Sequence, residues 1–188
     1  MQKDIGSVMG LYPTPVTIVG VKGPERVNFL PIAHVGVVEH QRFVVSIDKN
    51  HELSDAAIRA NGQLSVSLVS QDMMVRADWC GCEKGATTDK SGAFAHHFLD
   101  DMPAAPVIDE APVCMLCEVV DSFEVGNFHN YILKAHHTLV QEECLTEKDK
   151  IDYEKASPVL FEFQSAQYLS TGKVIGKCWK IGRDWASA

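Results

Sequence analysis

The sequence predicts a mainly β protein, a closed antiparallel sheet with a few short helices as inserts. Three observations lead there. Short β-branched runs recur along the chain. Turn signals separate them at close spacing. Helical periodicity is confined to brief stretches between the strands.

VTIVGVK (16–22) is a β-branched run closed by Gly23-Pro24, a turn pair. AHVGVVE (33–39) and RFVVSID (42–48) flank His40-Gln41, a two-residue hairpin connection. HELSDAAIRANG (51–62) reads as a helix of two to three turns, with Asn50 or Ser54 to cap its start and Gly62 to end it. QLSVSLVS (63–70) alternates Leu64, Val66 and Leu68 with Ser65 and Ser67, the pattern of a half-buried strand. SQDMMVRADW (70–79) predicts a second short helix with Ser70 or Asp72 near its start. Residues 80–112 read as a long loop, and a loop of that length is functional or disordered. VCMLCEVVDSFEV (113–125) and HNYILKAHHTLVQEE (129–143) are strands about a Gly126-Asn127 turn. A helical or irregular piece (147–157) precedes VLFEF (159–163) and a Gly/Lys-rich tail from Tyr168 to Trp185.

The chain has 188 residues, 46% hydrophobic and 22% charged, which suits one domain over residues 1–188 with a core of its own. The net charge is −8 and no Lys/Arg run occurs, so no basic footprint for nucleic acid is present. No apolar stretch approaches the ~20 residues that cross a membrane, and MQKDIGSVMGLYPTP lacks a signal-peptide core. The expected location is the cytoplasm, where the six cysteines are reduced. No GxGxxG or GxxxxGK[ST] element occurs, which argues against a Rossmann domain and a phosphate-loop hydrolase.

Three blocks could carry chemistry. In NFLPIAHVG (28–36) Asn28 precedes Pro31 and the small Ala33, and backbone of this kind lets a flat ligand come close; its plain reading is a kinked strand. In DKNHELS (48–54) a helix start offers free N–H groups to a phosphate, with Lys49, Asn50, His51 and Ser54 as further donors; its plain reading is ordinary capping. WCGCEKGATTDKSG (79–92) could wrap an anion, with Lys84 and Lys90 in reach; its plain reading is a solvated loop. Cys80-x-Cys82 and Cys114-x-x-Cys117 invite a zinc site, but residues three apart on a strand face opposite ways. His136 and His137 are adjacent on a strand and so do not converge on one metal. No metal is expected.

Taken in order, these blocks resemble the flavin reductase-like family, its flavoredoxin-type branch above all. The resemblance rests on YPTPVTIVGV (12–21), NFLPIAHVGVV (28–38), SIDKNHELSDAAIRANGQLSVSLVS (46–70), CGCEKGATTDKSGAF (80–94), GNFHNYILKAH (126–136) and YLSTGKVIGK (168–177). Ser54 takes the family's Thr/Ser place, Cys80, Gly81, Gly85, Asp89 and Lys90 match its Cys-Gly loop, and His129 its Gly-x-His strand. Lys84-Gly85-Ala86 departs from the usual Ser-Gly-Arg, Ser91 stands where a Phe follows Asp-Lys, and His34 replaces a smaller or aromatic residue.

The resemblance implies a six-stranded antiparallel split β-barrel with Greek-key connections, a homodimer, and FMN near the subunit interface. It implies that Asn28, Phe29, Leu30, Pro31, Ala33 and His34, with Trp79, Cys80, Gly81 and Cys82, lie at the flavin ring. Asn50, His51, Ser54 and Lys90 would lie at the phosphate, with Lys84 in reach; Asp48, Lys49 and Asp89 would complete the cofactor site, and His129 is the candidate catalytic residue. Three functions compete: an NAD(P)H-dependent flavin reductase, an electron carrier with tightly held FMN and a protein redox partner, and a non-enzymatic ligand-binding barrel.

Overall fold

In the computed structural model, residues 1–183 are described. Asp184 and Trp185, the end of the tail read above, lie outside them. The first half gives β1 (Thr14–Pro15), β2 (Thr17–Lys22), β3 (Val27–Ile32), β4 (Val35–Glu39), β5 (Arg42–Asp48), α1 (Glu52–Asn61), β6 (Gln63–Leu68) and α2 (Met74–Cys82). The second gives β7 (His96–Leu99), β8 (Met102–Ile108), β9 (Val113–Val125), β10 (Phe128–Val140), α3 (Tyr153–Ala156), β11 (Leu160–Glu162) and β12 (Gln167–Leu169).

The principal sheet is antiparallel with strand order β3-β2-β6-β9-β10-β5-β4. Its two outer strands are consecutive in the chain. Only Ala33 and His34 separate them, with the Val35 amide donating to the Ala33 carbonyl at 3.0 Å. The sheet therefore rolls back on itself. Leu30 and Ile32 from β3 meet Val45 and Ile47 from β5 in one interior cluster, plugged by Ala57 and Ile58 of α1. The sheet has seven strands where the resemblance implies six, because the corner at Ala33 divides β3 from β4.

A second cluster covers the opposite face. Ile18, Phe29, Cys114 and Leu116 pack there against Met73, Ala77 and Cys80 of the α2 region and Val107 of β8. Strand alternation assigns the sides: Cys114 belongs to this cluster and Cys117 to the interior one. Burial on both faces corrects the half-buried reading of β6, since Ser65 and Ser67 are as buried as Leu64 and Val66.

Three further expectations change. The segment 80–112 is not a loop throughout, because β7 and β8 form a separate two-stranded hairpin within it. Pro103 and Pro106 are tolerated there, as this sheet has only edges. Helix α2 runs past Trp79 to Cys82 after a 3₁₀ turn over Gln71–Met73. Gly81 continues it because its backbone lies on Pro31, where a Cβ would come within 2.9 Å of the proline ring. Helix α1 starts at His51 with no side-chain cap, so neither Asn50 nor Ser54 fills that role. Its other end is as read: Gly62 adopts φ 64°, the left-handed conformation that costs glycine least, and donates to the Ile58 carbonyl.

Candidate functional site

The uncapped start of α1 opens into a cleft of about 610 Å³ lined by Asn28, Leu30, Asn50, His51, Glu52, Leu53, Ser54, Lys84, Gly85, Ala86 and Lys90. That size suits a small organic ligand. Strand β3 forms the floor, the β5–α1 turn one wall, and the segment after α2 the other. The sheet brings together Asn28, Leu30, Asn50, His51, Ser54, Lys84 and Lys90, which the sequence places in three separate blocks.

Each wall is fixed by identifiable contacts. Asp48 accepts hydrogen bonds from the Asn50 amide (2.9 Å) and Asn127 Nδ2 (2.7 Å), which shapes the turn into α1. The Asn50 amide, and after it Asn127 and the nearby His51, hold this carboxyl below the usual range. Asn28 Nδ2 donates to Ser54 Oγ at 2.8 Å across the floor. Gly85 lies so close to Asn28 that a Cβ would come within 2.5 Å of Oδ1. Arg26 Nη2 donates to the Gly85 carbonyl at 2.8 Å and holds that segment from outside.

Lys90 is almost wholly buried, and its ammonium donates to the carbonyls of Cys80 (2.8 Å) and Glu83 (3.2 Å). It thus ties the segment 83–90 to the C-terminus of α2, whose partial negative charge favours a cation. Burial lowers its pKa, with Cys80 and Glu83 opposing. Burial also lowers the pKa of His51; Asp48 opposes this and Lys90 adds to it. The cleft therefore presents cationic and N–H donors at a helix start, an arrangement suited to a phosphate. Glu52 is the single carboxylate in its lining. A groove of about 830 Å³ continues from the cleft along α1 through Glu52, Leu53 and Ala86, and is walled by Ala56, Ala60, Pro103 and Ala104.

The other candidates lie elsewhere. Phe29 points to the opposite face of β3 and is fully buried, edge-on to Phe94; alternation separates it from Asn28 and Leu30. Pro31 is half-buried under Gly81. The Ala33 carbonyl accepts from Thr14 Oγ1 at 2.8 Å. His34 is exposed beside Tyr12, with Nε2 3.3 Å from its hydroxyl, and is edge-on to Phe128. Lys49 pairs with Glu124 at 2.6 Å. Trp79 and Cys82 are exposed on α2, whereas Cys80 is in the core, its thiol pushed up to about 11 by burial. Asp89 is exposed, accepts from the Ser91 amide and lies 3.9 Å from Arg26.

His129 lies in a second, smaller cleft with Arg59, Phe123, Glu124 and Tyr131. Its Nδ1 is 2.6 Å from Asp55 and its Nε2 2.8 Å from Glu124. Asp55 is buried in the first turn of α1 and also engages Tyr131 and Arg59. His129 therefore reaches the cleft only through the helix that it anchors. The sequence reading missed Arg26 and the Gly85 close approach; a lone Arg and a loop glycine carry no periodic signal. Among the described residues no group of three or more His, Cys, Asp or Glu could hold a metal, and no helix is long and apolar enough to cross a membrane.

Comparison with known proteins identifies the family. The flavin reductase like domain matches residues 9–167. The fold is similar to flavoredoxin from Methanosarcina acetivorans, 26% identical, with a TM-score of 0.91 over 98% of this chain and 99% of that one. It is similar to flavoredoxin of Desulfovibrio vulgaris (Miyazaki F), 26% identical, with a TM-score of 0.89 over 97% and 100%. An FMN-binding protein from Thermus thermophilus shares the fold at 20% identity, TM-score 0.77, over 94% and 97%. No match is found among curated proteins.

Proposed function

The chain belongs to the flavin reductase-like family, and on that premise we propose that it is an FMN-binding flavoprotein that moves hydride or electrons between NAD(P)H and flavin. One observation carries this reading: an uncapped helix start faces a cleft that also holds Lys84, Lys90, His51 and the Asn28–Ser54 pair. Those residues fit a phosphate monoester. The half-buried Pro31 and Ala33, with exposed His34, Trp79 and Cys82, are the surfaces offered to the ring. Bound FMN supplies the redox chemistry.

The protein's own part is placement and electrostatics. The first-turn amides of α1 and the two lysines would bind the phosphate. Asn28 holds the Ser54 hydroxyl in a fixed direction. Lys90, fastened to two carbonyls, fixes the wall opposite. His129 is a positioning residue in this reading: it holds Asp55, and so α1, rather than touching the flavin. The working unit is a homodimer of the whole chain in the cytoplasm, and its partner is NAD(P)H.

A second reading, an electron carrier with tightly held FMN and a protein partner, is favoured by the full-length similarity to two flavoredoxins. The visible spectrum of the purified protein, with the chromophore identified after denaturation, tests both. FMN release is expected; a colourless protein that ignores added FMN overturns both. NAD(P)H oxidation with added flavin then separates them: turnover supports the reductase, inertness the carrier.

A further inference from the structure

The C-terminal segment leaves the body in a form that asks for a surface. Residues 172–183 are exposed throughout, yet they include Val174 (76% exposed), Ile175 (98%), Trp179 (89%) and Ile181 (74%). Isolated exposed hydrophobes are ordinary, but four within eight residues are not. The same stretch holds Lys173, Lys177, Lys180 and Arg183 and no acidic residue, although the chain as a whole carries −8.

A matching surface exists on the same chain. An apolar groove of about 670 Å³ runs over the sheet between Val35, Val37, Phe43, Met115, Tyr153 and Leu160. Val37 is 87% exposed at its edge. One rim is the segment 142–155, which holds six acidic and three basic side chains. The tail starts at this groove but does not fill it. Thr171 is tied to the rim by its hydroxyl, donating to the Pro158 carbonyl at 2.6 Å, and the Val174 amide donates to Glu154 at 2.6 Å. From there the apolar side chains point to solvent.

We propose that residues 172–183 are a docking arm, and that each copy seats its arm in the apolar groove of a second copy. This rests on the homodimer proposed above and names its contact. Each chain has one arm and one groove, so a two-fold exchange satisfies both and closes at the dimer. The basic arm meets an acidic rim, which gives the exchange its direction. An arm anchored outward at Glu154 leaves its own groove open and a neighbour's within reach.

Sedimentation of the full-length chain tests this, comparing wild type with the triple variant K173E/K177E/K180E, with W179A and with V37D. Each alters an exposed side chain, and circular dichroism checks the fold. The charge-reversal variant is expected to weaken the dimer by about tenfold or more at low salt. Wild type should weaken as salt rises, and W179A and V37D should dissociate at any salt. A dimer indifferent to all three changes keeps the homodimer and overturns the arm. A wild type monomeric at every concentration removes the homodimer, and the arm with it.

Discussion

Gly85→Ala tests the site geometry most directly. The added Cβ would lie 2.5 Å from Asn28 Oδ1, 3.0 Å from its Cγ and 3.1 Å from Nδ2. The closest of these is about 0.9 Å short of ordinary contact, which begins at 3.4 Å. Asn28 cannot swing aside freely, because it is buried and its Nδ2 is held by Ser54 Oγ at 2.8 Å. Either that hydrogen bond breaks or the segment 83–90 shifts outward against Arg26 and Lys90. Overpacking of this kind costs about 1–3 kcal/mol, and a buried hydrogen-bonding group left unpaired costs a similar amount. If one of the two gives way, the loss is about 1–3 kcal/mol. Each kcal/mol moves Tm by roughly 2–4 °C in a chain of this size, so Tm should fall by roughly 2–12 °C. FMN affinity should fall with it, since the shifted segment carries Lys84. Gly92→Ala in the same stretch meets nothing within 4 Å and is the matched control; it should change stability by less than about 0.5 kcal/mol. The assay is thermal unfolding by circular dichroism, with FMN titrated by flavin fluorescence. A Gly85→Ala protein with wild-type Tm and wild-type FMN affinity would show that the contact has slack and positions nothing.

Three other outcomes follow from the same geometry. The double variant S54A/K84A, which leaves the Lys90 tether in place, should bind FMN at least about tenfold more weakly, as each charge-assisted contact contributes ~1.5–3 kcal/mol; riboflavin, which lacks the phosphate, should lose far less, and equal losses would remove the phosphate assignment. Burial lowers the pKa of His51, and a bound phosphate would raise it again. Binding then takes up a proton, so affinity is greatest below the free-protein pKa and declines as pH rises through that of the complex. His51→Gln should flatten this decline for FMN relative to riboflavin, and an unaltered slope would clear His51 of the role. His129→Ala leaves buried Asp55 short of one partner, at a cost of about 1–3 kcal/mol in stability. It should weaken FMN and riboflavin binding alike; full stability with lost turnover would instead put His129 at the chemistry.

The strands were legible where local pattern and tertiary burial agree. RFVVSID and VCMLCEVVDSFEV appear in the structure with the limits read from sequence, and Gly126-Asn127 makes the turn from β9 to β10. Legibility failed where packing overrides composition. MPAAPVI became a strand despite two prolines, because it pairs in a two-stranded sheet of edges. Ser65 and Ser67 read as solvent-facing because a lone sequence does not reveal that β8 and α2 cover that side. At the site, the run from Asn50 to Ser54 was legible because a helix start is a local event. Phe29 and Lys49 do not line the cleft beside Asn28 and Asn50, since neighbours on a strand or turn point apart. Arg26 acts on Gly85 across 59 residues, and that reach is set only by the fold.

The Lys90 tether bears on how this family member could change over time. Surface segments usually absorb insertions and deletions, because added residues bulge into water at little cost. The stretch from Cys80 to Lys90 is different: a side chain at its far end is buckled to two carbonyls at its near end, so it forms a ring of fixed circumference. A residue added or removed there would pull the ammonium from its partners and leave a charge buried. Length variation should therefore be tolerated in the exposed stretch 147–150 and refused between Cys80 and Lys90. An insertion scan read by protein yield would reveal that contrast before any flavin is added.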